Sequence, residues 1–374
     1  MKNIRVTTIV GTRPEIIRLS SIIKKFDKYF SHRLIHTGQN PDPNLKDVFF
    51  SDLGLKNPDK YFGSDSHSLG NFLANMFVSV EEELISNRPD AVVILGDTNS
   101  AFAAIIARRL GIPVYHLEAG NRSFDFNVPE EINRRIIDHT ADFNLVYSEL
   151  ARNNLISEGL HPRQIALVGS PLKEVISEHI ASIEASQILS ELNLEKEKYF
   201  LVSIHRQENV DLQDRLKETL ATLESVAAKY QIPVIISTHP RTLKKIESLS
   251  IKHSKYLVFH DPFGFLDYSC LQINARMVLS DSGSVSEESV ILGFPALTLR
   301  DSIERPEAIE SGSIIMAGIS AKNVLEAIEI AQEQGFGSRG PREYAIPDTS
   351  TRVVNFILST IHQYHFWNGI RKSN

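Results

Sequence analysis

Acidic side chains recur where apolar runs stop. Asp97 closes AVVILGD, Glu118 closes PVYHLEAG, and Glu130 and Glu131 open a helix-like stretch after FDFNVP. In an α/β protein the carboxyl ends of parallel strands face the ligand crevice, so carboxylates delivered there are aimed at a substrate. Once burial or a like-charged neighbour raises its pKa, a carboxylate in such a place can carry protons as a general acid or base. His205 and His239 likewise stand at the ends of the runs SIH and STH. Singly, each residue has a plainer role. Asp97 could cap a 98–110 helix, Glu118 could pair with Arg122, Glu130 or Glu131 could satisfy a helix dipole, and the histidines could be ordinary polar residues. Three strand-end acids converging with two strand-end histidines are hard to obtain from capping alone.

Two turns are suited to phosphate. In GTRPE, Gly11 ends the first strand-like run and Pro14 suits the first turn of a helix, so Arg13 is held where free backbone N–H groups and a guanidinium can grip an anion together. In SDSGSVSEES, the residues Asp281, Ser282, Gly283 and Ser284 lead from a strand into a helix, and Glu288 follows on its inner side within reach of a ribose diol. A solvated arginine and a helix N-capped by Ser282 or Ser284 are the bland alternatives. Phosphate beside ribose describes a nucleotide.

The elements that must position these residues alternate strand and helix. IRVTTIV, HRLIHT, AVVILG, PVYHLE, FNLVYS and QIALVG are short β-branched runs, with helical stretches at 15–27, 68–87, 98–110 and 130–139. A second series begins near Tyr199, with YFLVSIH, PVIISTH, KYLVFH, RMVLSDSG and PALTLR. The pattern predicts an α/β fold of two Rossmann-like domains, 1–170 and 171–349, joined around Gly169, Ser170 and Pro171. Val353, Val354, Phe356, Ile357 and Ile361 recur at helical spacing, which predicts an amphipathic helix over 350–367 in a C-terminal segment 350–374.

Composition narrows the function. A chain of 374 residues with 42% hydrophobic and 23% charged residues is ordinary for a soluble two-domain protein. A formal net charge of −6 lacks the basic excess of a nucleic-acid binder, and no apolar run reaches membrane-spanning length, so a cytoplasmic protein is expected. Cys270 is the only cysteine, there is no HExxH, and no His pair shows metal-ligand spacing within a helix. Neither GxGxxG nor GxxxxGK[ST] is present. No cofactor and no metal is expected, and catalysis falls to side chains.

GTRPEIIR, GDTNS, HLEAGNR followed by VPEEINR, SIHRQENV, STHPRT, and DSGSVSEES with DSIERPEA run in order from residue 5 to about residue 318. In these motifs the chain resembles the non-hydrolysing UDP-N-acetylglucosamine 2-epimerases of bacterial surface-polysaccharide synthesis. The resemblance implies the GT-B fold, a UDP-sugar in the cleft between the domains, a C-terminal helix crossing back to the first domain, and a homodimer. It implies elimination of UDP to a 2-acetamidoglycal and re-addition with protonation on the opposite face. By motif, Asp97, Glu118 and Glu130 become the acid/base set, and His205 would contact the leaving diphosphate or donate a proton. Arg13, Ser282 and Gly283 would hold the phosphates, Glu288 the ribose, and Arg18 and His239 would complete the substrate contacts. Glu131 remains an alternative to Glu130.

The chain departs from many relatives at Gln39-Asn40-Pro41, where they carry Gln-His-Arg, and this puts activation by a second nucleotide sugar in doubt. HTGQN, EAGNRSFDFNVPEEINR, GSPLKEV and STHPRT look more like the branch that converts UDP-2-acetamido-2,6-dideoxy-L-talose to UDP-N-acetyl-L-fucosamine, a capsule and O-antigen precursor. For that branch, Phe124, Phe126 and Val128 are the apolar candidates for a C6 methyl. UDP-N-acetylglucosamine as substrate, a GT-B glycosyltransferase and a catalytically silent nucleotide-sugar sensor are the alternatives.

Overall fold

The computed structural model describes residues 3–40, 50, 53–63, 68–238, 240–249, 251–335 and 340–369. The chain divides into one unit of Met1–Val175 with Glu343–Asn374 and a second of Ile176–Arg342. Each is built on a parallel sheet, so the protein is α/β with two Rossmann-like units.

The first sheet contains β1 (Arg5–Val10), β2 (Ser31–His36), β3 (Lys60–Tyr61), β4 (Ala91–Leu95), β5 (Val114–Leu117), β6 (Phe143–Val146) and β7 (Ile165–Leu167), in the order β3-β2-β1-β4-β5-β6-β7. Every residue of β4 and β5 is buried, as expected of parallel strands covered on both faces. Helices α1 (Arg13–Tyr29), α2 (Ala103–Arg109) and α3 (Pro129–Thr140) follow β1, β4 and β5. Ile9, Ile35, Val92, Ile94 and Val114 pack under Ala103, Ala104, Ala107 and Ile137, and each large aliphatic side chain so buried contributes roughly 1.5–3 kcal/mol. Small alanines let α2 lie close to the strands.

The order of connection reverses between β1 and β4. In an open parallel sheet this reversal opens a crevice at the carboxyl ends of the two strands. Arg13 follows β1, and Asp97 follows β4 across Gly96, whose φ of 70° only glycine adopts freely.

The second sheet repeats the plan with β8 (Phe200–Ser203), β9 (Val234–Ser237), β10 (Leu257–His260), β11 (Met277–Ser280), β12 (Ala296–Thr298) and β13 (Ile315–Met316), in the order β10-β9-β8-β11-β12-β13. Its helices include α4 (Gln213–Tyr230), α5 (Phe265–Asn274), α6 (Val285–Leu292) and α7 (Ala321–Gln334). Leu223 and Val226 of α4 and Val324 and Ile328 of α7 close over Val202, Ile236, Leu279 and Leu297. The reversal lies between β8 and β11, whose ends deliver His205 and Ser282.

The C-terminal residues belong to the first unit. A helix of Thr349–Thr360 is tied by Ser350 N–H to Glu174 Oε2 at 2.8 Å, by Thr349 Oγ1 to the Val168 carbonyl at 3.1 Å, and by Thr360 Oγ1 to Tyr115 OH at 2.8 Å. The expected continuous helix over 350–367 is broken: the 3-10 turn Ile361–Gln363 intervenes before Tyr364–Trp367. That break brings Tyr364 OH to Arg108 Nη1 at 2.5 Å. Among the described residues no helix is long and apolar enough to cross a membrane.

Candidate active site

In the first unit the site begins at the GTRPE turn. Glu15, at the third position of α1, turns its carboxylate back so that Oε2 accepts Gly11 N–H at 2.9 Å, Thr12 N–H at 2.7 Å and Thr12 Oγ1 at 2.8 Å. This is the acidic half of a capping box, and Thr-x-x-Glu was its readable signal. Its other oxygen accepts Thr98 Oγ1 at 3.0 Å. Burial pushes the Glu15 carboxyl up to about 7, against hydrogen bonds from Gly11, Thr12 and Thr98 that favour the ion. Arg13 is half-buried at the start of the same helix.

Glu118 ends β5 in the left-handed region, with φ of 63°, a conformation that costs a residue other than glycine on the order of 1–3 kcal/mol and clusters at functional sites. Its Oε2 lies 3.7 Å from Nη1 of the buried Arg18. Arg122 is engaged elsewhere: it donates to Asp138 Oδ2 and Glu158 Oε2, each at 2.7 Å. The pairing of Glu118 with Arg122 entertained above therefore gives way to Arg18, one helix turn past Arg13.

Asp97 is held from α3. Its Oδ2 accepts Arg134 Nε at 3.1 Å and Nη2 at 2.5 Å, while Asn133 Nδ2 donates to the Asp97 carbonyl at 2.9 Å. Thr98, not Asp97, takes the position before the 3-10 turn Asn99–Phe102. Glu131 is fully buried and saturated by Ser123 N–H at 2.9 Å, Arg134 Nη1 at 2.7 Å and Arg135 Nε at 3.0 Å. Burial opposes its charge, but the bonds from Ser123, Arg134 and Arg135 hold it below the usual carboxylate range. These bonds tie the Ser123 loop to α3. Its neighbour Glu130 is half-buried on the first turn of α3. Phe124 and Phe126 are 68% and 65% exposed and flank the Arg135 guanidinium at 5.6 and 5.3 Å, so of the three apolar candidates only Val128 is buried.

In the second unit a buried aspartate organises the turn after β8. Asp281 accepts the His205 N–H at 3.1 Å, the Arg206 N–H at 3.0 Å and Asn209 Nδ2 at 3.1 Å, and its Oδ1 lies 3.3 Å from His205 Nδ1. The His205 side chain is about half exposed, and this contact leaves Nε2 as its outward nitrogen. Ser282 Oγ lies 2.9 Å from Ser284 Oγ and accepts the Ser284 N–H at 3.3 Å, so no serine hydroxyl caps α6. Gly283 has no room for a side chain: a Cβ there would lie 2.0 Å from Glu304 Oε1. Beneath it Arg305 Nη1 donates to the Gly283 carbonyl at 2.8 Å, and Glu304 pairs with Arg300 at 2.5 Å and Arg206 at 3.1 Å. Glu288 on α6 accepts Gln272 Nε2 of α5 at 2.6 Å. His239 lies outside the described residues.

Within the first unit, then, Arg18 meets Glu118 and Asp97 is tied to the helix that carries Glu130; within the second, His205 and Ser282 flank Asp281. Residues 24–358 match the family model described as UDP-N-acetylglucosamine 2-epimerase. The chain belongs to the UDP-N-acetylglucosamine 2-epimerase family. Members of this family are isomerases. The chain is 40% identical to a UDP-N-acetylglucosamine 2-epimerase from Rickettsia bellii of solved structure, with a TM-score of 0.91 over 97% of this chain and 98% of the other. The epimerase of Methanocaldococcus jannaschii, solved in complex with UDP-GlcNAc and UDP, is 35% identical with a TM-score of 0.89, covering 95% of this chain and 100% of that one. A UDP-2,3-diacetamido-2,3-dideoxy-D-glucuronate 2-epimerase of Pseudomonas aeruginosa is 30% identical over 94% of this chain and 99% of its own length. These likenesses to epimerase structures give the fold as GT-B type.

Proposed function

We propose that this epimerase inverts C2 of a UDP-2-acetamido sugar by eliminating and re-adding UDP. The observation that carries the reading is the placement of Asp97 and Glu118 at the carboxyl ends of the adjacent strands β4 and β5 in the first sheet, and of an outward histidine after β8, which flanks the reversal in the second. A base removes the C2 proton, its electron pair forms the C1=C2 bond of a 2-acetamidoglycal, and the C1–O bond breaks to release UDP. UDP then adds back at C1 as an acid protonates C2 from the opposite face. Two faces require two proton carriers, and each well-placed group contributes roughly 10²–10⁴-fold. Asp97, Glu118 and Glu130 are assigned to these transfers, and His205 Nε2 to the leaving diphosphate. Arg13, Ser282 and the Gly283 main chain hold phosphate, Glu288 holds the ribose, and Arg18 keeps positive charge beside Glu118. His239 is kept as a substrate contact by its motif.

UDP-N-acetylglucosamine is the substrate to test first, because relatives bearing that name cover most of the chain. The 6-deoxy-L-talose nucleotide is the second reading, favoured by HTGQN: Gln39 Oε1 accepts both the N–H and Oγ of Ser100, at 3.0 and 2.9 Å, so its amide serves the fold instead of a second, activating sugar nucleotide. An NMR assay of the purified protein with each nucleotide decides. Formation of the C2 epimer without an acceptor supports the reading, and glycosyl transfer or no turnover of either nucleotide contradicts it. We further infer that the enzyme is a homodimer, for which Val78 and Ile85, 57% and 61% exposed one heptad apart on Leu69–Ser86, offer apolar surface to a second copy.

A further inference from the structure

Glu15 is 1% exposed, and both of its oxygens are committed to donors from two separate strand ends. A capping box needs one oxygen, and here Oε2 alone gathers the three donors of the turn after β1. Oε1 does something a cap does not require: it reaches Thr98, the residue next to Asp97, 83 positions along the chain. β1 and β4 are the neighbours between which the strand order reverses, so this carboxylate spans the floor of the crevice. The surrounding turns leave it no slack. A Cβ on Gly11 would fall 1.9 Å from Ser100 Oγ and 2.4 Å from Thr37 Oγ1. Ser100 is in turn fixed by Gln39, and Asp97 is pulled from the other side by Arg134.

We propose that Glu15 is a positioning residue that locks the Arg13 turn to the Asp97 turn, so that one buried carboxylate sets the placement of both a phosphate-holding and a proton-carrying group. The proposal rests on the roles given to Arg13 and Asp97 above. Four donors converge on the two oxygens, three of them on Oε2, and an ionised carboxylate accepts from all four at once. An amide could keep these contacts only by turning its NH₂ group to Thr98 Oγ1 and reversing that bond, with the charge that strengthens the other three removed.

Three variants separate positioning from plain stability. Glu15→Gln should lower kcat at least about tenfold and weaken UDP binding at least about fivefold, the order expected for loss of charge-assisted hydrogen bonds. Thr98→Val cuts only the link to the Asp97 turn, and should lower kcat while calorimetric UDP affinity stays unchanged. Thr12→Val loosens only the Arg13 turn, and should weaken UDP affinity more than it lowers kcat. If these variants lose thermal stability while kcat and UDP affinity match wild type, Glu15 is a helix cap only and the proposal is overturned. Should Glu15→Gln fail to fold, the valine pair still decides by whether their effects divide between kcat and affinity. Arg13→Ala and Asp97→Asn run alongside: wild-type behaviour in both would refute the site assignment itself, whereas impairment in both with normal Thr98→Val and Thr12→Val would refute the positioning role alone.

Discussion

Glu130 and Glu131 are adjacent, yet their surroundings differ. Glu131 is saturated by two arginines and the Ser123 N–H, whereas Glu130 stands half-buried on the first turn of α3. Asp97→Asn, Glu118→Gln and Glu130→Gln are each expected to lower kcat at least about 10²-fold with UDP affinity nearly intact, measured by steady-state kinetics and calorimetry. Glu131→Gln should instead lower the melting temperature by breaking a buried ion-pair cluster. A second acid carries a pH prediction. Hydrogen bonding from Arg122, partly opposed by burial and helped by His139, holds Glu158 down at about 2, below its ordinary 4.5. A folded-state pKa depressed in this way stabilises the fold above about pH 4.5, and the contribution is lost as pH falls towards 2. Thermal melts should show wild type losing stability across that window more steeply than Glu158→Gln. The candidate acids were legible because apolar strands end in unmistakable polar residues. Residue type says little about depth: Glu15 and Asp281 stand in quoted motifs, but their burial and partners depend on strands distant in sequence, and Phe124 and Phe126 are apolar yet exposed.

Among the elements, the long-range order of strands does the positioning. Parallel strands buried on both faces read as continuous apolar runs, so β1, β4, β5, β8 and β11 and the turns after them were visible in the sequence. The two-residue edge strands β3 and β13 carry no such run and were not. Neither was the break at Ile361, because Ile361 continues the apolar spacing while the chain turns to dock Tyr364 against Arg108. The turn after β11 yields a sharp prediction. Gly283→Ala places a methyl against Glu304 and so disturbs its pairs with Arg300 and Arg206. UDP affinity measured by calorimetry should fall about tenfold, and the melting temperature should fall with it.

For the whole molecule, family membership settles the kind of enzyme, and the choice of sugar and the assembly follow from measurement. One methyl in place of a hydroxymethyl supports only about 10–200-fold discrimination in an apolar pocket, so a clear kcat/KM preference, not absolute rejection, is expected between the two nucleotides. The proposed homodimer predicts that replacing Val78 and Ile85 with aspartate shifts the mass in light scattering from dimer towards monomer, because like charges would face each other across a two-fold interface. The proposed elimination and re-addition require C2 to lose its proton to the protein and regain one from it. Epimerisation run in D₂O and followed by NMR tests this most directly. Product carrying deuterium at C2 is the predicted result; product that retains the original hydrogen at C2 throughout would contradict it.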